Sequence, residues 1–302
     1  MNNEPILVTG AAGQTGGPTV RQLLEKGHSV RALVHRRDER AEELASLGAE
    51  VVVGDFHDAG SLRQAMAGVK RAYFVHPWVA RVLEATTNFA LVAREVGLEV
   101  TVNMSQIIVR EGHGSPATRE HWLGEHVLNW AEIGATHIRP TLFAENLLQL
   151  AGPTVAAEGK IYLPFGEGRH APVAAEDIAS VVVGILTDSE LRHVGEAYVV
   201  TGAIEMSLTE IAEVIGRVVG KTVEYVAIPT EAWLEQLSKL PIMNPHFLKH
   251  LERVAEDTSN GFFSGVTDEV EKVGGRTPKS FETFVRENIA AFGSVPAGAV
   301  TA

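Results

Sequence analysis

At 302 residues the chain is long enough for one large domain or two unequal lobes, and its 45% hydrophobic and 21% charged residues supply a globular core. A formal net charge of −12 excludes the dense Lys/Arg field that a nucleic-acid groove needs to displace counterions, so no direct nucleic-acid partner is expected. The absence of cysteine removes disulfides, thiolate catalysis and cysteine-ligated metal, and fits a reducing cytoplasm.

The chain enters an apolar run, Pro5-Ile-Leu-Val-Thr9, without the basic start and long apolar stretch of a signal peptide. No apolar run approaches the ~18–20 residues of a membrane span, so no membrane partner is expected. Strands are predicted at 5–9, 29–34, 50–53, 71–75, 98–103 and 136–139. Helical patterns fall between them at 16–26, 38–47, 58–67, 80–96 and 118–133. This alternation predicts an α/β fold of Rossmann type: a doubly wound parallel sheet, right-handed crossovers and helices on both faces. After Pro140 the pattern changes. A helix is expected over 143–150, a Pro/Gly-rich stretch over 152–172, a helix over 176–187 and a seventh strand at Ala197–Val200. Helices follow at 207–219, 230–238, 245–256 and 279–292. The expected organisation is a Rossmann domain of 1–150 plus 173–200, a smaller and mostly helical substrate lobe of 151–172 plus 201–293, and a frayed tail at 294–302.

The segment Gly10-Ala-Ala-Gly13-Gln14-Thr15-Gly16 follows the first strand and opens the first helix. Gly10 permits a sharp turn, Gly13 lets the backbone approach a pyrophosphate, and Gly16 lets the helix pack close to the sheet. The helix start offers unpaired N–H groups and the positive end of its dipole. The second strand runs out into His35-Arg36-Arg37, with no acidic residue to accept bonds from a ribose. Guanidinium groups there can pair with a 2′-phosphate, which points to NADP(H); the alternative is a solvated basic turn balanced by Asp38, Glu39, Glu42 and Glu43. After the third strand, Asp55 is placed to take the adenine amino group with Phe56 flanking the ring. Asp55 or Asp58 can instead cap the next helix.

These residues, with Val30-Arg-Ala-Leu-Val-His-Arg36, Gly54-Asp-Phe56, Glu125, Ile138-Arg-Pro-Thr-Leu-Phe143-Ala-Glu-Asn146 and Ala175-Glu-Asp-Ile-Ala179, resemble the NmrA-like branch of the atypical short-chain dehydrogenase/reductases over roughly residues 4–290. The resemblance implies a Rossmann domain, NADP(H) and a cleft closed by the C-terminal lobe. Some members of that branch are flavin-free reductases of quinones, triphenylmethane dyes or azo compounds; others bind the dinucleotide as redox sensors without turnover. Short-chain reductases usually carry a Ser and a Tyr-Lys pair spaced YxxxK. Ser105 stands for the Ser. Aligned by Glu125, His121 takes the Lys position and Ala117 the Tyr position, so the usual acid is absent. His121 is then the candidate to hold the ribose or relay a proton, alone or with Ser105.

Further candidates lie in loops at the carboxyl ends of strands, where doubly wound sheets bind ligands. His76 and Pro77 follow the fourth strand and Phe143 the sixth, all beside the dinucleotide. Trp78, Trp122 and Asn146 are candidates to line a slot for a flat substrate, or else pack between lobes. Arg169 and His170 are candidates to gate the cleft. No metal site is expected: there is no HExxH, and His121 and His126 are spaced to fall on different helix faces. Ser105 is not in a GxSxG elbow, which argues against a hydrolase. The expected function is reduction of an electron-poor conjugated small molecule by NADPH without flavin; the alternative is a regulatory NADP(H)-binding protein. A homo-oligomer is left open.

Overall fold

The structure, a computed structural model, describes residues 4–77, 81–241 and 243–293. In chain order the elements are β1 (Ile6–Val8), α1 (Gly16–Glu25), β2 (Val30–Val34), α2 (Glu39–Ser46), β3 (Glu50–Val53), α3 (Ala59–Met66), β4 (Arg71–Phe74), α4 (Val82–Val96), β5 (Val100–Met104), α5 (Pro116–Trp130) and β6 (Ala135–Pro140). They continue with α6 (Ala144–Leu150), α7 (Gly152–Glu158), β7 (Lys160–Leu163), β8 (Arg169–His170), α8 (Ala175–Thr187), β9 (Ala197–Val200), β10 (Met206–Ser207) and α9 (Leu208–Val219). The last are β11 (Glu224–Ala227), α10 (Thr230–Leu237), α11 (Pro245–Ser259), α12 (Glu269–Lys272), α13 (Phe281–Glu287) and a closing 3-10 turn, Ile289–Phe292.

Seven strands form one sheet in the order β3-β2-β1-β4-β5-β6-β9, and every neighbouring pair is parallel. The central strands are buried on both faces, which is why they read as continuous apolar runs, whereas the edge strand β3 is partly exposed. Winding proceeds outward in opposite directions from β1 and β4, so the carboxyl ends of these two strands flank the switch point where such sheets bind ligands. Local chemistry fixes the helix starts: Asp38 accepts the Ala41 N–H at α2, and Ser115 accepts the Thr118 N–H at α5, with Pro116 in the first turn.

The chain divides into two units, Met1–Pro140, Ala175–Val200 and Glu269–Thr277 against Thr141–Ala174, Thr201–Asp268 and Pro278–Ala302. The first encloses a core including Leu7, Leu62, Phe74, Phe89 and Leu128; the second is built around Leu147, Ile161, Phe165, Ile211 and Phe284. Three boundaries differ from the sequence expectation, the smallest being residues 173 and 174, which fall in the second unit. Residues 141–150 join the second unit because Leu147 of α6 is part of its core. The α12 segment joins the first: Gly184 of α8 lies so close to the Val273 carbonyl that a Cβ would stand 2.0 Å from its oxygen, and Arg276 pairs with Glu176 and Asp177. The 152–172 stretch is not irregular. It holds α7 and β7, and β7 pairs in parallel with β11, while β8 pairs antiparallel with β10. The expected tail at 294–302 lies outside the described residues. No helix among the described residues is long and apolar enough to cross a membrane.

Candidate functional site

The loops at the carboxyl ends of β1 to β5 carry most of the residues singled out in the sequence. In the β1–α1 turn, Gly10 has φ +53°, a left-handed conformation. The Gly13 N–H donates to the Gly10 carbonyl at 2.8 Å, and a Cβ at Gly13 would stand 2.9 Å from that oxygen. A Cβ at Gly16 would stand 2.2 Å from the same oxygen. The glycines thus serve one tight turn, with Gly13 and Gln14 exposed at its tip and Gly16 buried at the helix start. Thr15 is buried, its Oγ1 2.8 Å from the Tyr73 hydroxyl of β4, and gives α1 no side-chain cap. The resulting edge suits an anionic pyrophosphate: an open backbone curve at a helix N-terminus, with no side chain at Gly13 in the way.

His35, Arg36 and Arg37 are exposed at the end of β2. Arg37 Nε lies 3.5 Å from Glu42, while Arg36 has no ion-pair partner among the described residues. Arg40 was not singled out in the sequence. Its guanidinium donates to the Ala12 carbonyl of the glycine turn at 3.2 Å and to Asp38 at 2.7 Å, so a third arginine stands beside the turn. Its sequence signal is weak: it follows the basic run by three residues, across Asp38 and Glu39.

At the end of β3 the Asp55 carboxylate accepts the His57 N–H at 2.8 Å, and Asp58 caps α3 by accepting the Gly60 N–H at 2.8 Å. Phe56 meets Phe74 edge-on at 5.6 Å and His76 at 5.1 Å. His76 donates from Nδ1 to the Pro77 carbonyl at 2.5 Å, which leaves Nε2 as the acceptor of a neutral ring. Burial lowers the His76 pKa, and the Pro77 carbonyl opposes this. His57 joins the group unannounced, its ring 6.1 Å from that of His76. It directly follows Asp55-Phe56, so adjacency was its available signal. Trp78 lies outside the described residues.

On the β5 side, Ser105 Oγ donates to Glu125 Oε1 at 2.5 Å, and Arg139 of β6 holds both oxygens of the same carboxylate, through Nε at 3.0 Å and Nη2 at 2.5 Å. Burial raises the Glu125 pKa, but the Arg139 fork, His137 and the Ser105 hydroxyl outweigh it and hold the group below the ordinary carboxylate value. The Ser105 proton is therefore committed to a buried anion, and its side chain ties β5 to α5. Ser105 was expected to relay a proton alone or with His121; its hydroxyl faces Glu125. Four residues before Glu125, His121 shares with His76, Asn103 and Thr86 the lining of a cavity of about 10 Å³, the room of a single water. Burial drives the His121 pKa down to about 4, and His76 adds to this while Glu125 opposes it. The ring is neutral in ordinary buffers. Ala117 is buried at the α5 start.

Trp122 does not share the face of His121, because consecutive helical residues diverge by about 100°. It packs edge-on against His126 at 4.6 Å, and His126 stacks on Trp130, which is 73% exposed. Trp122 thus shares a stripe of α5 with His126 and Trp130, on a different face from His121. Phe143 and Asn146 lie in the second unit, where Phe143 bridges to Val173 and accepts the Asn146 N–H at 3.0 Å. Among the described residues no cluster of three or more His, Asp or Glu could hold a metal.

A parallel sheet with a tight glycine turn at its switch point and arginines after the second strand defines a Rossmann-fold protein. The chain belongs to the NmrA-like family, which matches residues 2–285. It is 31% identical over 291 residues to the NAD(P)H azoreductase of Xenophilus azovorans, covering 96% of this chain and 99% of that protein. Its fold is similar to an NADPH-dependent quinone oxidoreductase of Escherichia coli complexed with NADPH, with TM-score 0.82, 21% identity and coverage of 94% and 99%. It is also similar to the triphenylmethane reductase of Citrobacter sp. complexed with NADP(H), with TM-score 0.81, 24% identity and coverage of 93% and 99%.

Proposed function

We propose that this chain is an NADPH-dependent reductase that works without flavin on an electron-poor conjugated acceptor such as a quinone or an azo compound. The Gly10–Gly16 turn and the α1 N-terminus take the pyrophosphate, with Gln14 and Thr15 at its edge. Arg36, Arg37 and Arg40, with His35, take the 2′-phosphate side, and Asp55 and Phe56 the adenine. His76, Pro77 and His121 stand toward the nicotinamide end. NADPH, when bound, supplies the hydride. The whole-length likeness to a protein named NAD(P)H azoreductase supports this reading.

The observation that carries the acceptor class is that α5 offers no phenol and that the nearby hydroxyl is engaged, Ser105 Oγ donating to Glu125. The residue aligned with the usual acid is Ala117, and His121 is held neutral by burial. Ser105 keeps its proton on Glu125. A simple ketone needs a strong donor at one oxygen as the alkoxide forms. A conjugated acceptor spreads the incoming charge and takes its proton later, from water that the His121 imidazole can orient.

The test is NADPH oxidation with menadione and methyl red, compared with aliphatic ketones, with no flavin added. Turnover of the first two and little of the third is expected. Tight NADPH binding with no turnover of any acceptor would replace the reductase by the regulatory reading.

A further inference from the structure

His170 is an anomaly in the second unit. It lies on β8 at 1% exposure, and neither ring nitrogen has a hydrogen-bond partner among the described residues. Buried polar side chains are normally satisfied, because an orphan bears the full cost of leaving water. Burial lowers the His170 pKa to about 4 while Glu205 opposes it, so the neutral ring offers one N–H donor and one lone-pair acceptor, both unused. A second orphan is close in the chain fold. Thr258 is fully buried with Oγ1 unpartnered, and it lies so close to Gly168 that a Cβ there would stand 2.6 Å from its Cγ2.

The surroundings are aromatic. The His170 ring sits 5.6 Å from Phe165 and 5.4 Å from Phe263, tilted by 51° and 55°. Phe165 meets Trp233 at 6.1 Å. Phe165 is fixed in the core, but Phe263 rides on a loop bounded by Gly261 at φ +79° and Gly265 at φ +108°. Beyond that loop the chain is anchored, by the Gly265 N–H on Glu205 at 2.5 Å and the Thr267 N–H on Thr201 at 2.9 Å. Within the loop the Phe262 N–H donates to the Asp257 carbonyl at 3.0 Å and the Ser264 N–H to the Gly261 carbonyl at 3.1 Å; Phe263 is 7% exposed, its carbonyl accepts a long bond of 3.4 Å from Thr141 Oγ1, and Phe262 is 49% exposed.

We propose that His170 recognises the polar edge of a planar conjugated ligand, which stacks between Phe165 and Phe263 once the Gly261–Gly265 loop has moved Phe263 off the imidazole. The imidazole N–H then donates to a ring carbonyl or azo nitrogen, and the phenyl faces take the π-system. That this ligand is the hydride acceptor rests on the reductase reading; that the site binds it does not.

The test is titration calorimetry with menadione in the presence of NADP⁺, where no turnover occurs, on the parent, His170→Phe and His170→Gln. Phenylalanine keeps the aromatic packing and removes both nitrogens; glutamine keeps a donor and an acceptor. His170→Phe is expected to weaken menadione binding at least tenfold and raise its KM to match, with NADPH affinity within twofold and the Tm not lowered. His170→Gln is expected to restore most of the binding. Menadione affinity within twofold of the parent in His170→Phe would overturn the proposal, as would a parent that binds no menadione. A parent that binds menadione through His170 but oxidises no NADPH would sink the reductase reading alone. One that turns menadione over with its KM unchanged in His170→Phe would sink this inference alone.

Discussion

Replacing Ser105 by alanine separates two roles for its hydroxyl. The structure makes it a positioning group: it donates at 2.5 Å to Glu125, whose side chain is 6% exposed and also held by Arg139. Losing a hydrogen bond to a charged group costs about 1.5–3 kcal/mol. At about 2–4 °C per kcal/mol, Ser105→Ala should lower the Tm by roughly 3–12 °C. Glu125→Gln goes further by leaving the Arg139 guanidinium without its anion. Breaking one side of a buried pair costs about 3–5 kcal/mol, and the low end applies because Arg139 keeps 32% of its side chain in water. The Glu125 pKa is lowered by folding, so this contribution is present above the ordinary carboxylate value and is lost as the pH falls through the lower folded value. The Tm gap between the parent and Glu125→Gln should therefore close as the pH falls below the ordinary carboxylate value of 4.5. Scanning fluorimetry reads both effects. Kinetics reads the role: a positioning hydroxyl costs less than about tenfold in kcat, whereas loss of a proton donor costs about 10²–10⁴. A Ser105→Ala enzyme with the parental Tm and a hundredfold lower kcat would refute the reasoning and return Ser105 to the chemistry.

The sheet was legible because strands buried on both faces must be apolar throughout, and because glycines at Gly10, Gly13 and Gly16 mark a strand–turn–helix junction whatever lies elsewhere. The pair β7 and β11 was not legible. Each is four residues long, and the two are 60 residues apart, so only tertiary pairing makes them strands. The same limit hid the bond that fixes Ser105. Ser105 and Glu125 are both visible in the sequence, but their direct bond, and the Arg139 fork that holds the carboxylate, arise only once α5 and β6 lie beside β5. Trp122 shows a different failure. It adjoins His121 in sequence but not on the helix surface, and the spacing Trp122, His126, Trp130 marks a separate helical stripe. For His170 the sequence showed a polar residue in a Gly-rich stretch; its burial between two phenyl rings comes from the second unit's packing.

NADPH should bind more tightly than NADH by about ten- to a hundredfold, the worth of one charge-assisted phosphate bond, and replacing Arg36 and Arg37 together by alanine should erase most of the difference; equal Kd values in the parent would remove the 2′-phosphate assignment. Gly13→Val puts a branched side chain where even a Cβ stands 2.9 Å from the Gly10 carbonyl, so NADPH titration should show loss of binding with a near-normal far-UV spectrum. His121→Ala should lower kcat more than NADPH affinity, and an unchanged kcat would show that the imidazole takes no part. The acid limb of stability follows from the same buried histidines. His121 and His170 both fall to about 4 in the fold against about 6.5 in the unfolded chain, and burial also lowers His76 and His137. Between those two pH values the unfolded chain binds protons that the folded chain refuses, so stability is full above about pH 6.5 and drains away as the pH falls toward 4. At His170, 1% exposed, the fall from 6.5 to about 4 corresponds to roughly 3 kcal/mol. The parent Tm should therefore drop steeply from pH 7 to pH 5, and His170→Phe should drop less because one of the refusing groups is gone. A Tm that holds level over that range would mean that these imidazoles meet water or a partner group when the protein is in solution, and the neutral state assigned to His121 would fall with it.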